Sequence, residues 1–299
     1  MPDLSVCITH YNRPEHLGRT LRSVSEQTRT PDEVLVWDDH SESDPWPIVE
    51  RFAGKFRRLR YHRNSRNLGM PGNLNAVVRE AGGDFVANLH DADVYHPLLL
   101  ETWERALLAH PSAGLVFCGA MAETPAGDDD RIWLHDYRPM TEGRRFFEGA
   151  FVGQSSSPIW GTVMVRRDAY EQHLPFNGRF GGWADVDMWM RICGTHDICY
   201  VPQPLITLHQ GSHFRSTFRW DVIHLLLSMH VLNIDRMAGS PSERRLWQSR
   251  QRSHAARLLA RLFLGRAVRL EGGQCMRAVR MWRDWLAVLR AKDCYGRVQ

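Results

Sequence analysis

The chain has 299 residues, 43% of them hydrophobic and 24% charged, with a formal net charge of +4. That length holds one large α/β domain with an appendage, or two modest domains, and the composition is that of an ordinary globular protein rather than a disordered or fibrous one. No apolar run approaches the ~20 residues that cross a bilayer, and six scattered cysteines without a Cys-x-x-Cys pair argue against a disulfide framework or a zinc site.

Met1-Pro2-Asp3-Leu4 shows no basic stretch ahead of an apolar one, so no secretory signal is expected and the expected location is the cytoplasm. The small net charge hides an asymmetry. From Arg244 onward about 14 basic residues face three acidic ones, Glu271, Asp284 and Asp293. The tail therefore carries about +11 and the rest of the chain about −7.

The first 120 residues alternate between two periodicities. Leu4-Ser5-Val6-Cys7-Ile8-Thr9 reads as a buried strand, followed by the loop His10-Tyr11-Asn12-Arg13 and by Pro14, which suits the first turn of a helix. Leu17, Leu21 and Val24 then recur at helical spacing. A second strand, Glu33-Val34-Leu35-Val36-Trp37-Asp38, runs into Asp39-His40-Ser41. A helix over 47–54 and a short strand over 59–62 follow. The stretch 67–72 reads as a loop, and 73–81 as a helix that Gly82-Gly83 ends. Asp84-Phe85-Val86-Ala87-Asn88-Leu89 is a fourth strand that leads directly into His90-Asp91-Ala92-Asp93. A helix over 97–110 and a fifth strand, Gly114-Leu115-Val116-Phe117-Cys118, complete this part.

Strand–helix alternation predicts an α/β fold with a mostly parallel sheet covered on both faces. In such sheets ligands sit beyond the carboxyl ends of the strands. The polar clusters at 9–13, 38–41 and 91–93 should therefore gather at one sheet edge. Later in the chain, Asp128-Asp129-Asp130 reads as a solvated turn, 160–165 as a strand, and 200–208 as an extended segment broken by Pro202 and Pro204. A helix begins near Trp183, with Asp185 and Asp187 where the helix dipole favours anions. From about Pro241 the tail is helical. Its apolar stripes, Leu258, Leu259, Leu262, Phe263 and then Met281, Trp282, Trp285, Leu286, Leu289, are separated by Glu271-Gly272-Gly273, which predicts a helical hairpin.

Two carboxylates at i and i+2 after a buried strand suit a hard divalent ion, Mg²⁺ or Mn²⁺, that keeps positions open for phosphate oxygens. Alone, Asp91-Ala92-Asp93 is equally an exposed turn; its place at a strand end favours the site. With these residues in view, the chain resembles the family 2 glycosyltransferases, an inverting group with the GT-A fold. The resemblance covers residues 3–216. It rests on Thr9-His10-Tyr11-Asn12-Arg13-Pro14, on Asp38-Asp39-His40-Ser41, on Asn67-x-Gly69 followed by Asn75, and on Asp91-Ala92-Asp93, in that order.

The resemblance implies a GT-A domain over 1–240, with a nucleotide-sugar half over 1–122, an acceptor half over 123–240, and a basic helical tail over 241–299. It implies that Thr9, Tyr11, Arg13, Asp39, Asn67, Gly69, Asn75 and Asp91 line a nucleotide pocket. Asp91, Asp93 and His209 would hold Mn²⁺ or Mg²⁺. Asp185 matches the general base that takes the acceptor proton. Trp183 and Asp187 would contact the acceptor or sugar. The plainer alternatives stay open: a strand-end hydroxyl for Thr9, a surface aromatic for Tyr11, a helix-entry turn for Asn67 and Gly69, an ordinary helix residue for Asn75, helix capping for Asp185 and Asp187, a structural imidazole for His209. Trp160 and Trp189 are candidates for sugar stacking or for the core, and Arg215 for a phosphate contact or a salt bridge. Ala184 departs from the family, which commonly has an acid there.

The implied activity is metal-dependent transfer of a sugar from a UDP- or dTDP-type donor to an acceptor hydroxyl. The acceptor would be a glycan, a lipid-linked saccharide or a small molecule. A nucleotidyltransferase is a competing class, but the 9–14 loop lacks the glycines that class carries after its first strand. A non-catalytic nucleotide-sugar binding protein is another. The tail has three readings: a peripheral contact with an anionic membrane face, packing or self-association through its apolar stripes, or a solvated cap. No nucleic-acid module is present.

Overall fold

The structure, a computed structural model, describes residues 2–123, 131–209 and 220–267. Its strands are β1 (Leu4–His10), β2 (Glu33–Asp38), β3 (Leu59–Arg63), β4 (Phe85–His90), β5 (Val94–Tyr95), β6 (Ala113–Glu123), β7 (Ile132–Trp133), β8 (Met140–Thr141), β9 (Val163–Arg166) and β10 (Asp197–His209). Its helices are α1 (Pro14–Ser25), α2 (Trp46–Val49), α3 (Gly69–Glu80), α4 (Leu99–Ala109), α5 (Gly143–Ala150), α6 (Arg167–His173), α7 (Ala184–Ile192), α8 (Trp220–Met237) and α9 (Pro241–Ala267). Short 3₁₀ turns lie at Glu50–Phe52 and Gly178–Trp183.

One sheet runs through the molecule in the order β3-β2-β1-β4-β9-β6-β10-β5, with β7 beside β6 and β8 beside β10. The first four strands in this order are all parallel. β9 then pairs antiparallel with both β4 and β6, so the complete sheet is mixed. Strand alternation divides the core between the two faces. Leu4, Val6 and Ile8 of β1 pack with Leu17, Leu21 and Val24 of α1 and with α4. Cys7 faces the other way, into a cluster with Leu74, Val77 and Val78 of α3 and with the helices of the second half. Both faces of β1 and β2 are thus buried, which is why their sequences are continuous apolar runs.

The loop expected at 67–72 is shorter than predicted, because α3 begins at Gly69. The extended segment expected at 200–208 is one 13-residue strand. Its register against β6 slips between Val201 and Pro204 and again between Pro204 and Ile206, so the prolines fall where the ladder is already interrupted. Among the described residues no helix is long and apolar enough to cross a membrane. Asp128 to Asp130, Arg215, the break at 271–273 and the stripe at 281–289 lie outside the described residues.

Candidate active site

The parallel register brings three strand ends together. His10 stands beside Asp38, and Thr9 beside both Trp37 and His90. The polar clusters at 9–13, 38–41 and 91–93 therefore leave the sheet side by side, as the topology predicted.

Asp91 ties two of these loops together. It is buried, and its Oδ2 accepts from His10 Nδ1 at 2.7 Å and from the Tyr11 N–H at 3.3 Å. Its Oδ1 accepts from Arg13 Nη1 at 3.1 Å. Arg13 keeps 43% of its side chain exposed, so its guanidinium is held at the cleft with part of its charge open. Tyr11 is 46% exposed at the same mouth, and Thr9 is half-buried. Asn12 joins the third loop: its N–H donates to Ser41 Oγ at 2.9 Å and its Oδ1 accepts from the Glu42 N–H at 2.8 Å. Asn12 and His40 both adopt positive φ, 52° and 63°, a conformation in which Asn and His are enriched among non-glycine residues.

Asp38 is spent on structure, accepting from the Ser41 N–H and hydroxyl and pairing with Arg63 Nε at 3.1 Å. Asp39 is buried, and its Oδ1 accepts from Asn64 Nδ2 at 3.0 Å and the Leu68 N–H at 2.7 Å. Asn67 Oδ1 accepts from the Gly69 N–H at 2.8 Å, and Gly69 has φ of 72°, which only glycine adopts freely. Asn67 and Gly69 thus build the entry of α3 beside Asp39. Asn75 is elsewhere. Its amide closes a two-bond clamp on the Phe176 peptide, donating to the carbonyl at 3.0 Å and accepting from the N–H at 2.7 Å. Both ends of the amide are used, so the expected nucleotide contact gives way to a brace between α3 and the loop that leads to Asp185.

Asp93 faces the second half of the cleft. Its Oδ1 accepts from the His209 N–H at 3.1 Å, while its Oδ2 is buried with no hydrogen-bond partner and lies 3.5 Å from His90 Nδ1. The His209 ring packs against His16, with centroids 4.0 Å apart and the planes tilted by 41°. Among the described residues no group of three or more His, Cys, Asp and Glu side chains forms a ready metal cage. The buried Asp93 oxygen, which has no hydrogen bond, fits a divalent cation that takes its remaining ligands from phosphate and water. Both Asp91 oxygens carry hydrogen bonds in this arrangement. His209 meets Asp93 here through its backbone.

The opposite wall comes from the loop before β9 and from the start of α7. Asp185 lies in the first turn of α7, 9% exposed, and its Oδ1 accepts from the Val186 N–H at 2.7 Å. Burial pushes its pKa up from the ordinary carboxylate value, against the opposing pull of the His90 charge and the helix N–H groups. Ala184 is fully buried, so a carboxylate in its place would be cut off from water. Trp183 is half-buried beside Asp185 and packs against the large core cluster. Trp189 is a core residue at 0% exposure, and Trp160 packs edge-on against Trp133.

Asp187 is not at the cleft. It is 0% exposed, pairs with Arg191 Nε at 2.9 Å and accepts from Asn233 Nδ2 at 2.9 Å. Two residues along a helix is about 200° around it, so Asp185 and Asp187 face opposite ways. The expected acceptor contact at Asp187 is therefore replaced by a buried link from α7 to α8. His90 is a cleft residue to which the sequence assigned no role. Desolvation pulls its pKa down, but contact with Asp93 and the charges of Asp185 and Asp91 raise it above the ordinary imidazole value. The available signal was its strand position, two residues from Asn88 on the same face of β4 and directly before Asp91.

Comparison with known proteins places this geometry. The model of the family "Glycosyl transferase family 2" matches residues 5–174. An uncharacterized protein of Mycobacterium tuberculosis (strain CDC 1551 / Oshkosh), MT1568, is 30% identical over 219 residues, 68% of this chain and 66% of its own length. The putative glycosyltransferase EpsE of Bacillus subtilis (strain 168) is 23% identical over 197 residues, 64% of this chain and 66% of its own. The chain thus spans just under two thirds of either relative. Among solved structures, S. aureus TarS 1–349 in complex with UDP aligns with a TM-score of 0.63 at 16% identity, over 81% of this chain and 68% of that one. TarS 1–349 in complex with UDP-GlcNAc gives 0.64 at 18% identity, over 81% and 69%. These likenesses establish the GT-A fold. Because the family model spans more than half of the sequence and takes in all three strand ends that meet at the cleft, the chain belongs to glycosyl transferase family 2.

Proposed function

We propose that the chain transfers a sugar, with inversion, from a UDP- or dTDP-type nucleotide-sugar to an acceptor hydroxyl, and that Asp185 is the general base. The observation that carries this reading is the placement of Asp185. It is a desolvated carboxylate at the start of α7, with a raised pKa, facing the His90–Asp93 side of the cleft. A carboxylate whose pKa moves toward neutrality is a better proton acceptor at physiological pH. The acceptor oxygen attacks the anomeric carbon, the bond to the diphosphate oxygen breaks, and the acceptor proton passes to Asp185.

Nucleotide binding is assigned to Thr9, Tyr11, Arg13 and Asp39, in the pocket whose wall Asn67 and Gly69 build. Asp91 holds Arg13, whose half-open guanidinium suits a diphosphate. Asp93 would hold Mn²⁺ or Mg²⁺, which supplies charge neutralisation for the leaving diphosphate. His209 positions Asp93 through its N–H, and Trp183 is the aromatic surface left beside Asp185 for an acceptor or sugar. Binding of UDP and UDP-GlcNAc by the structurally similar TarS supports a uridine donor.

The test is release of nucleoside diphosphate from UDP- and dTDP-sugars, with and without Mn²⁺. Asp185→Asn should lower kcat by about 10²–10⁴-fold while UDP still raises the melting temperature. Metal-dependent release that Asp185→Asn leaves undiminished would remove Asp185 as the base. A melting temperature that no nucleoside diphosphate shifts would remove the nucleotide-sugar reading itself.

A further inference from the structure

We propose that His90 is a positioning residue for Asp185, acting across one water, and that Gly161 is the spacer that leaves room for the two side chains to face each other across the cleft. This rests on Asp185 as the base.

Three elements bring the parts together. β4 sends Asn88 and His90 to the same face. Asn88 Nδ2 reaches the Gly161 carbonyl at 3.4 Å, and the His90 ring reaches Gly161 itself. A side-chain carbon built on Gly161 would lie 2.3 Å from His90 Nε2, 2.7 Å from His90 Cε1 and 2.9 Å from Asp185 Oδ2. All three are closer than carbon contacts allow. Gly161 does not have the positive φ that would demand glycine for backbone reasons. What demands it is space: the imidazole and the carboxylate occupy the volume a methyl group would need. His90 Nε2 and Asp185 Oδ2 flank one point and are no farther apart than the sum of their distances to it; they form no direct ion pair, so the gap between them is that of one bridging water.

The frame that holds the ring is rigid. The buried Tyr95 hydroxyl accepts from the His90 N–H at 2.8 Å and donates to the His90 carbonyl at 2.9 Å, fixing the end of β4. On its other side the ring meets Asp93, Nδ1 to Oδ2, at 3.5 Å. His90 therefore spans from Asp93 to Asp185. The Asp185 carboxylate is divided to match. Oδ1 is tied to the Val186 N–H of its own helix, which leaves Oδ2 as the oxygen turned toward Gly161 and His90. Oδ2 is then the atom that takes the acceptor proton, and His90 keeps it aimed into the cleft. With 47% of its side chain exposed, His90 is open to the cleft between the two walls.

Two experiments on the full chain decide this. The first is a double-mutant cycle in urea unfolding with His90→Ala, Asp185→Asn and both together. Groups in contact couple and distant ones add, so the unfolding constants should depart from multiplicativity by about threefold or more; multiplicative effects would overturn the contact. The second uses whichever UDP- or dTDP-sugar the wild-type chain hydrolyses fastest. His90→Ala should lower kcat about tenfold or more with donor KM and UDP affinity unchanged within twofold, His90→Gln should recover most of the loss, and Gly161→Ala should reproduce it. A loss confined to KM or to UDP affinity would make His90 a partner of Asp93 alone and overturn the positioning role. If Asp185→Asn itself keeps full kcat, the base assignment falls instead, and the unfolding cycle still reports on the contact.

Discussion

Asp91 and Asp93 are two residues apart and are placed for different work. Asp91 uses both oxygens on His10, Tyr11 and Arg13, whereas one Asp93 oxygen is buried without a hydrogen bond and has only the His90 ring 3.5 Å away. Asp91→Asn should therefore weaken UDP binding about 10- to 150-fold whether or not Mn²⁺ is present, because it removes a charge-assisted bond of about 1.5–3 kcal/mol that holds Arg13. Asp93→Asn should erase only the increment that Mn²⁺ adds; calorimetric titration of UDP with and without metal separates the two. Asp185 allows a prediction on stability. Its folded pKa lies above the unfolded value, so the stability it contributes is present at low pH and is lost as pH rises through the folded pKa. Asp185→Asn should then be more stable than wild type at pH 7, with the gap closing near pH 4, as read by urea midpoints. The Asp91–Asp93 pair was legible because it follows a buried strand. The fate of Asp187 was not. Its partners Asn233 and Arg236 lie far along the chain, and nothing local distinguishes a cleft carboxylate from one buried half a helical turn away.

At the scale of elements, Asp187 fastens α7, the helix that carries Asp185, to α8. Arg191 extends the link by donating to the carbonyls of His173 and Pro175, so α6, α7 and α8 share one polar junction. Asp187→Ala leaves Arg191 and Asn233 with backbone carbonyls but without their buried carboxylate, and should cost about 3 kcal/mol or more, the range for breaking a buried ion pair. Arg191→Ala should add less to that loss in urea denaturation than it costs alone, since the two share the Asp187–Arg191 pair while Arg191 also holds the His173 and Pro175 carbonyls. The first four long strands and the helices between them were readable because each is a buried run or a single-faced stripe. α5 and α6 have eight and seven residues, too few for a helical period to stand out. α8 was missed for a different reason. Leu226, Leu227, Met229, His230, Asn233 and Ile234 are buried on one face, but His230 and Asn233 are polar and the apolar Leu225, Val231 and Leu232 lie off that face, so no apolar stripe stands out in the sequence. The Asn75 clamp on Phe176 joins residues 101 apart and has no local signature.

At the scale of the molecule, the first half of α9 packs on the catalytic body. Trp247 is buried, its ring 5.6 Å from that of Phe147, with the Arg144 guanidinium 5.2 Å from its centroid. Glu243 pairs with Arg144 and Arg250 with Glu148, and Gln251 exchanges two hydrogen bonds with the backbone of Gly153 and Gln154. Trp247 belongs to the same core cluster as Met188 and Trp189 of α7, so this docking supports the helix that carries Asp185. Trp247→Ala should cost about 3–5 kcal/mol by cavity formation. The junction should also respond to acid. His230 of α8 is buried against Phe151, and burial together with the neighbouring His254 pushes its pKa down to about 4. Its folded pKa lies below the unfolded value near 6.5, so the neutral form is the one the fold prefers. Stability from this group is complete above pH 6.5 and is lost as pH falls toward 4, by at most about 3 kcal/mol. His173 shifts the same way but is partly exposed, so its share is smaller. The Asp185 contribution runs in the opposite direction with pH, which is why the comparison must be made between variants. Urea midpoints at pH 7.5 and 5.0 should fall less for His230→Leu than for wild type. Equal falls in the two proteins would show that the α8–α9 junction is not where acid acts.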